Sequence, residues 1–325
     1  MSWNPDTLAY GYIPKALLAG CILLSFSACL YEALCPVDSY SPRFIFTYTE
    51  DGSDGDGGAA AADPLQKAAI YVFDTNNRYV TFWSLDNPQL NYEYSVPTRL
   101  LPGAYHFIAW ISQDPPYWIT LAPDIQCGCK NGMDLRLRIP SDRIIEEALP
   151  PLFYGVSGRI EIRGASEQVI PIPLTRNTNT IILTVTGLER TNDAYVFDIK
   201  DNNGNYDFDN DFLPCEDFHY RRMASFPSHS SSALTTSIIT LKLAESRNPL
   251  LTFSNHTSGT VLFPAHEGQV NSLTKLILLA YEGKSFAFEH KHTFRITINF
   301  AVDLTASISV DGWNIDESDY GVIPD

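Results

Sequence analysis

The sequence predicts an all-β protein, two tandem β-sandwich domains behind a short export leader. Short apolar, β-branched and aromatic runs recur at spacings of about ten residues, with turn residues between them. A helical pattern shows in a single short stretch. Hydrophobic residues make up 45% of the 325 residues and aromatics 12%, enough to fill real cores rather than leave a disordered chain.

In chain order the first element is the leader. Lys15 precedes an uncharged apolar run, Ala16–Ala28, and Ser27-Ala28 put small residues directly before Cys29. Charge, apolar core, small residues and cleavage site follow the order of a bacterial secretory signal. As a helix the run spans about 20 Å, short of the roughly 30 Å hydrocarbon core of a bilayer. A cysteine at the cut point turns secretion into lipid anchoring, so Cys29 is the expected lipidation site and residues 1–28 the signal peptide. Several acyl chains at about 0.8 kcal/mol per buried methylene hold a soluble domain on a membrane almost permanently. Phe26 stands where an aliphatic residue is usual, and Leu18-Ala19-Gly20-Cys21 is the better local match. Too few residues part Lys15 from Cys21 to make an apolar core, so Cys29 is preferred. A plain signal peptide or a buried helix is the lesser alternative for the run.

The strands follow. Arg43–Thr49 is aromatic and β-branched without helical period. Residues 51–63 form an acidic, glycine-rich loop. Ala69–Phe73 and Arg78–Trp83 flank the turn Asp74-Thr75-Asn76-Asn77, a hairpin signal. Ala104–Trp110 is near-continuously apolar and suits a central strand. Arg143–Ala148 reads as the helix, with Ser141 to cap it and Pro150 to end it. Strand patterns resume at Arg159–Ile162, Val169–Leu174 and Asn179–Gly187. They continue at Tyr195–Ile199, Ser237–Leu243, Thr260–Phe263, Leu273–Tyr281, Thr293–Phe300 and Ser307–Val310. A polar stretch near Pro173–Asn177 sets the expected boundary, giving domains 29–175 and 176–325.

Charge and cysteines narrow the function. The net charge is −16, and the leader contributes nothing because Asp6 and Lys15 cancel. Such a surface repels phosphate backbones and anionic headgroups, which excludes nucleic acid and leaves lipid as the means of membrane attachment. Cys35, Cys127, Cys129 and Cys215 remain after the leader and Cys29, an even number in an oxidising compartment. Cys127-Gly-Cys129 would close a strained ring, so a bridge from Cys35 or Cys215 to one of that pair is one reading and free thiols the other. No second close pair or histidine spacing suits zinc.

Sites of chemistry are few. His290 and His292 alternate and would share one strand face, more simply as a surface pair than as metal ligands. Asp201-Asn203-Asn205-Asp207 resembles the start of a calcium loop, but Phe212 stands where a bidentate Glu is required, so a turn is the better reading. The acidic loop Asp51–Asp56 reads as solvated, and Asn255-His256-Thr257 as a coincidental sequon. Gly155-Val156-Ser157-Gly158 is one residue short of a nucleophile elbow, and Glu146-Glu147 reads as a solvated pair. With no phosphate loop or metalloprotease helix, no catalytic residue, metal or cofactor is expected. Trp83, Trp110, Trp118 and Trp313 are the aromatic residues a glycan binder would use; Trp118, after Asp114-Pro115-Pro116-Tyr117, is expected in an exposed loop, and Trp110 in the core.

One ordered set of strings resembles a known family. It comprises the spacer from Cys29 to Cys35-Pro36, the strand Phe44–Tyr48, IYVFDTNNRYV at 70–80 and PGAYHFIAW at 102–110. It continues with Leu152-Phe153-Tyr154-Gly155, PLTRNTNTIILTVTGL at 173–188, DNNGNYDFDN at 201–210 and VDGWN at 310–314. Together they resemble the fimbrial anchor subunits of Bacteroidales, a group of fimbrillin-associated lipoproteins. The resemblance implies transthyretin-like sandwiches tethered to the outer membrane by lipid at Cys29. It implies a non-enzymatic role at the base of a fimbrium (pilus), attaching the filament and limiting its length, with fimbrillin shaft subunits as partners. Strand addition to an open sheet edge is the implied contact. Arg176 and Arg190 are isolated arginines far from any N-terminal propeptide, which suits a terminal subunit. The rival expectation is a glycan-binding surface lipoprotein of the same fold class.

Overall fold

The computed structural model describes residues 42–48, 66–95, 100–112, 116–120, 130, 133–163, 168–189, 191–226 and 232–315. The leader, Cys29, Cys35, Cys127, Cys129, Arg190 and the acidic run 51–63 lie outside them.

Strands dominate. The N-terminal half contains β1 (Arg43–Thr47), β2 (Lys67–Asp74), β3 (Tyr79–Asp86), β4 (Glu93–Ser95), β5 (Gly103–Ser112), β6 (Tyr117–Thr120), β7 (Asp134–Leu137), β8 (Ile144–Ile145), β9 (Phe153–Val156), β10 (Ile160–Ile162) and β11 (Val169–Arg176). The remainder contains β12 (Thr178–Thr186), β13 (Tyr195–Asp201), β14 (Asn205–Asp207), β15 (Phe218–Ala224), β16 (Ala233–Leu241), β17 (Leu250–Asn255), β18 (Val261–Phe263), a helix α1 (Leu273–Ala280), β19 (Thr293–Phe300), β20 (Ala306–Val310) and β21 (Trp313–Asn314).

An N-terminal sheet runs β3-β2-β5-β9-β11-β1-β4, with β10 also on β5. Its hairpin β2–β3 forms as the Asp74–Asn77 turn predicts: Asp74 Oδ1 accepts from the backbone N–H groups of Asn76 and Arg78, and Asn77 takes φ 58°. β5 is the central strand, bonded to β2, β9 and β10. Alternate residues Phe44, Phe46, Ile70, Val72, Phe107, Ala109, Ile170 and Ile172 fill one core. Gly155 is needed there, because a Cβ would lie 2.7 Å from a methyl group of Leu174 and 2.8 Å from the Pro173 carbonyl.

Two five-stranded sheets, β16-β12-β19-β20-β21 and β18-β17-β13-β15-β8, enclose the larger core. β12 buries Ile181, Leu183 and Val185, the alternation of a half-buried strand. The two halves share strands. A third sheet, β14-β7-β6, joins Asn205–Asp207 to Asp134–Arg136, and β8 runs parallel to His219–Tyr220. The larger core therefore continues onto the outer face of the N-terminal sheet, taking in Tyr71, Phe73, Ile108 and Trp110.

The structure corrects both helix assignments. Arg143–Ala148 is not helical: Arg143 takes φ 60°, and Ile144–Ile145 form β8. Six residues cannot offset the cost of helix nucleation, whereas β15 supplies ready hydrogen bonds. Conversely, Leu273–Tyr281 was expected as strand and contains α1. Ser272 caps it by accepting from the Lys275 N–H, and Leu273, Leu276, Ile277 and Ala280 bury one helical stripe.

Candidate functional site

No nucleophile with a neighbouring base emerges from the described residues, and they hold no group of three or more His, Cys, Asp or Glu able to grip a metal. Ser157 is buried and its hydroxyl is committed to backbone, accepting from Phe107 N–H at 3.0 Å and donating to the Gly158 carbonyl at 2.9 Å. What the fold concentrates instead is polar structure at the joint between the halves.

The joint is the segment Arg176-Asn177-Thr178-Asn179, all four residues buried. A single residue, Asn177, parts β11 from β12. Its N–H donates to the Leu152 carbonyl at 2.6 Å, and its side-chain amide pairs reciprocally with that of Asn210 at 2.5 and 3.1 Å. Asn179 Oδ1 accepts from Leu243 N–H at 2.7 Å, and Arg176 Nε donates to Thr178 Oγ1 at 3.1 Å. Polar groups buried at this density are stable only because each finds a partner.

Asn210 follows the stretch Asp201–Asp207 expected as an Asn- and Gly-rich turn; Asn205–Asp207 form β14, and the turn comes just after it. Asp207 Oδ1 accepts from the N–H groups of Asp209 and Asp211, both at 2.9 Å. The turn carries Phe208 into the N-terminal sheet, edge-on to Tyr71 at 4.9 Å and Phe73 at 6.0 Å. Opposite, Phe212 lies under two cations, with Lys242 Nζ 4.8 Å and the Arg247 guanidinium 4.7 Å from the ring centre. Lys242 also donates to the Asn210 carbonyl. Its burial lowers its pKa to about 8. The strings at 173–188 and 201–210, remote in sequence, thus form one interlock.

Two buried titratable groups flank it. Asp201, 6% exposed, is raised to about 6 by desolvation, with Arg247 3.4 Å away and one carboxylate oxygen unpaired. His292 is held down to about 4 by burial, then by Arg176. It was expected beside His290 on a strand facing solvent; instead both precede β19, and His292 is buried while His290 is exposed.

Other expected sites sort as follows. Cys215 is half-buried near Gly204 and unbridged among the described residues; Cys29, Cys35, Cys127 and Cys129 lie outside them. Trp118 is in β6, opposite Arg136, and not in a loop, because β7 pairs with this stretch; its side chain lies outside the described residues. Trp83 and Trp110 are buried, and Trp313 is exposed with Lys284 Nζ 4.1 Å from its ring centre. The Asn255 amide is engaged by Asp193 and Ser258. Glu146 and Glu147 are exposed on the wall of a groove of about 880 Å³ that also includes Ile111, Ile144 and Ile239. Sequence reasoning placed the boundary at this polar run but missed that its side chains are buried and that Asn177 pairs with Asn210.

A family described as fimbrillin-A associated anchor proteins Mfa1 and Mfa2 matches residues 34–319. Among solved structures, a candidate polysaccharide-binding protein of Bacteroides thetaiotaomicron is similar at 24% identity, TM-score 0.68, with 86% of this chain and 99% of that one covered. The fimbrial anchor protein Mfa2 of Porphyromonas gingivalis is similar at 19% identity, TM-score 0.65, covering 85% and 98%. A candidate adhesin of B. thetaiotaomicron follows at 17%, TM-score 0.66, covering 87% and 99%. At these identities the likeness is one of fold. No curated protein sequence matches.

Proposed function

The chain belongs to the family of fimbrillin-A associated anchor proteins, and from that premise we propose that it fastens a fimbrium to the outer membrane. The family is structural rather than enzymatic, and membership gives the chain a fimbrium-associated role at the cell surface. In the proposed arrangement, residues 1–28 are removed and Cys29 carries the lipid. Domains 29–175 and 176–325 stand at the filament base, meet shaft subunits through strand-mediated contact and limit filament length.

The observation that carries this reading is the family match over residues 34–319. The interlocked joint supports it physically. An anchor must hold its tether and its partner at a fixed separation under pull, and a joint of satisfied buried amides resists bending better than a solvated linker. For the glycan-binding alternative, Trp83 is buried, while Trp313 is exposed.

The test is metabolic labelling with a fatty-acid probe, together with Cys29→Ser. Wild type takes up label and fractionates with the outer membrane; Cys29→Ser takes up none and is released. Deleting the gene yields long, shed fimbriae. An unlabelled wild type, with fractionation unchanged by Cys29→Ser, sinks the tether.

A further inference from the structure

We infer that the turn between β19 and β20, Ala301–Thr305, is an apolar docking point for a fimbrial shaft subunit; this rests on the anchor reading above. Its composition is wrong for a solvent turn. Val302 is fully exposed and Leu304 is 52% exposed, at the apex of a hairpin loop where polar residues and glycine are the norm. Leu304 also takes φ 67°. Among the described residues seven non-glycines have positive φ, and five of those are Asn or Asp, which tolerate it. Arg143 is another, and its carbonyl and guanidinium are both engaged, by His219 and Glu216. Leu304 gains little for its strain: its backbone N–H donates to the Ala301 carbonyl, as any turn residue could, and about half of the residue stays open to solvent.

The turn is built to hold that shape. Ala301 N–H donates to the Thr305 carbonyl at 2.8 Å, and Asp303 Oδ1 accepts from both the N–H and the hydroxyl of Thr305 at 3.0 and 2.7 Å. Two apolar side chains are therefore presented in a fixed geometry, at the cost of exposure and backbone strain. Strain kept by a rigid surround, with an apolar side chain left half exposed, points to a contact made outside the chain.

Placement puts the turn at the end of its sheet opposite the joint. β19 runs parallel to β12, with Thr186 opposite Asn299, so the turn lies beyond the end of β12 remote from Asn177. Arg43, where the described N-terminal chain enters, pairs with Val169 at the end of β11 remote from Asn177. The turn and the tether entry thus sit at the two ends farthest from the joint along β11 and β12. Charge sets the partner's chemistry. By sequence, the segments 187–194, 256–260 and 301–305 carry three carboxylates, Glu189, Asp193 and Asp303, against one arginine, Arg190, so the tip is net acidic. The complement is a protein surface with an apolar pocket rimmed by basic groups; an anionic membrane would be repelled.

The test uses the full-length protein with fimbrial shaft protein purified from the producing cells and immobilised on a sensor surface. Leu304→Gly relieves the positive φ, so its Tm is expected to rise by a few degrees while affinity falls. The double variant Val302→Ser, Leu304→Gly is expected to bind at least tenfold more weakly, with Tm at or above wild type. Affinity within twofold of wild type overturns the docking point and leaves the anchor reading standing, as does a drop in Tm for Leu304→Gly. Absence of wild-type binding overturns both. Vesicles of phosphatidylethanolamine and phosphatidylglycerol are the second arm. Wild-type flotation lost in the double variant would make the tip a lipid contact and overturn the inference.

Discussion

At the scale of residues, two buried groups flanking the joint titrate with opposite effects on stability. His292 has a folded pKa of about 4 against an ordinary 6.5, so the unfolded chain binds the extra proton between those values. Its contribution costs nothing above pH 6.5 and lowers stability as pH falls toward 4. Asp201 has a folded pKa of about 6 against 3.8, so the folded chain binds the extra proton, and stability falls as pH rises through 6. The two slopes nearly cancel from pH 4 to 6. We therefore expect Asp201→Asn to unmask the histidine, with stability falling by about 1.4 kcal/mol per pH unit on acidification. His292→Leu should show the reverse slope. Urea unfolding at pH 4.5, 5.5 and 6.5 measures both; parallel profiles for wild type and the two variants would refute the opposed shifts. A half-exposed His292, as the strand pattern predicts, would titrate normally. The Tyr48 ring lies 6.5 Å from its ring and the Arg176 charge acts on it, neighbours that no local pattern reveals.

At the scale of elements, the β14 turn and α1 carry distinct loads. Phe208 joins the turn to the rings of the N-terminal sheet, so Phe208→Ala should cost about 3–4 kcal/mol and speed amide exchange in β6 and β7. Unchanged exchange there would mean that the turn does not hold the halves together. Ser272 caps α1, and Ser272→Ala should cost about 1 kcal/mol by thermal unfolding. The strands with clean alternation or clear turns, β2, β3, β5, β12 and β19, were legible in the sequence. The helix was not, because LTKLILLA is apolar nearly throughout and a short run of that kind fits either period. The Ser272 cap and the spacing of Leu273, Leu276, Ile277 and Ala280 were the available clues. β14 was read as a turn alone, and β15 and β17 were missed because charged and small residues dilute FHYRRMA and LLTFSN.

At the scale of the whole molecule, the halves are bound by shared strands as well as by the linker. Asn177→Ala strips the amide partner from Asn210 and should cost about 1–3 kcal/mol. Because β7 and β8 cross between the halves, the variant should still unfold in one cooperative transition; two separated calorimetric transitions would show that the halves are independent. The sequence by itself determined the all-β class, the turn at Asp74–Asn77, the central place of β5 and the resemblance to fimbrial anchors. These are local matters, since a two-residue alternation and a turn residue are properties of neighbours along the chain. Tertiary structure alone decided that β1 lies beside β11 and β12 beside β19, that β8 is a strand and not a helix, and that Asn177 meets Asn210. Those choices depend on which distant edge offers unpaired backbone and which rings leave room, and no stretch of sequence holds both partners at once.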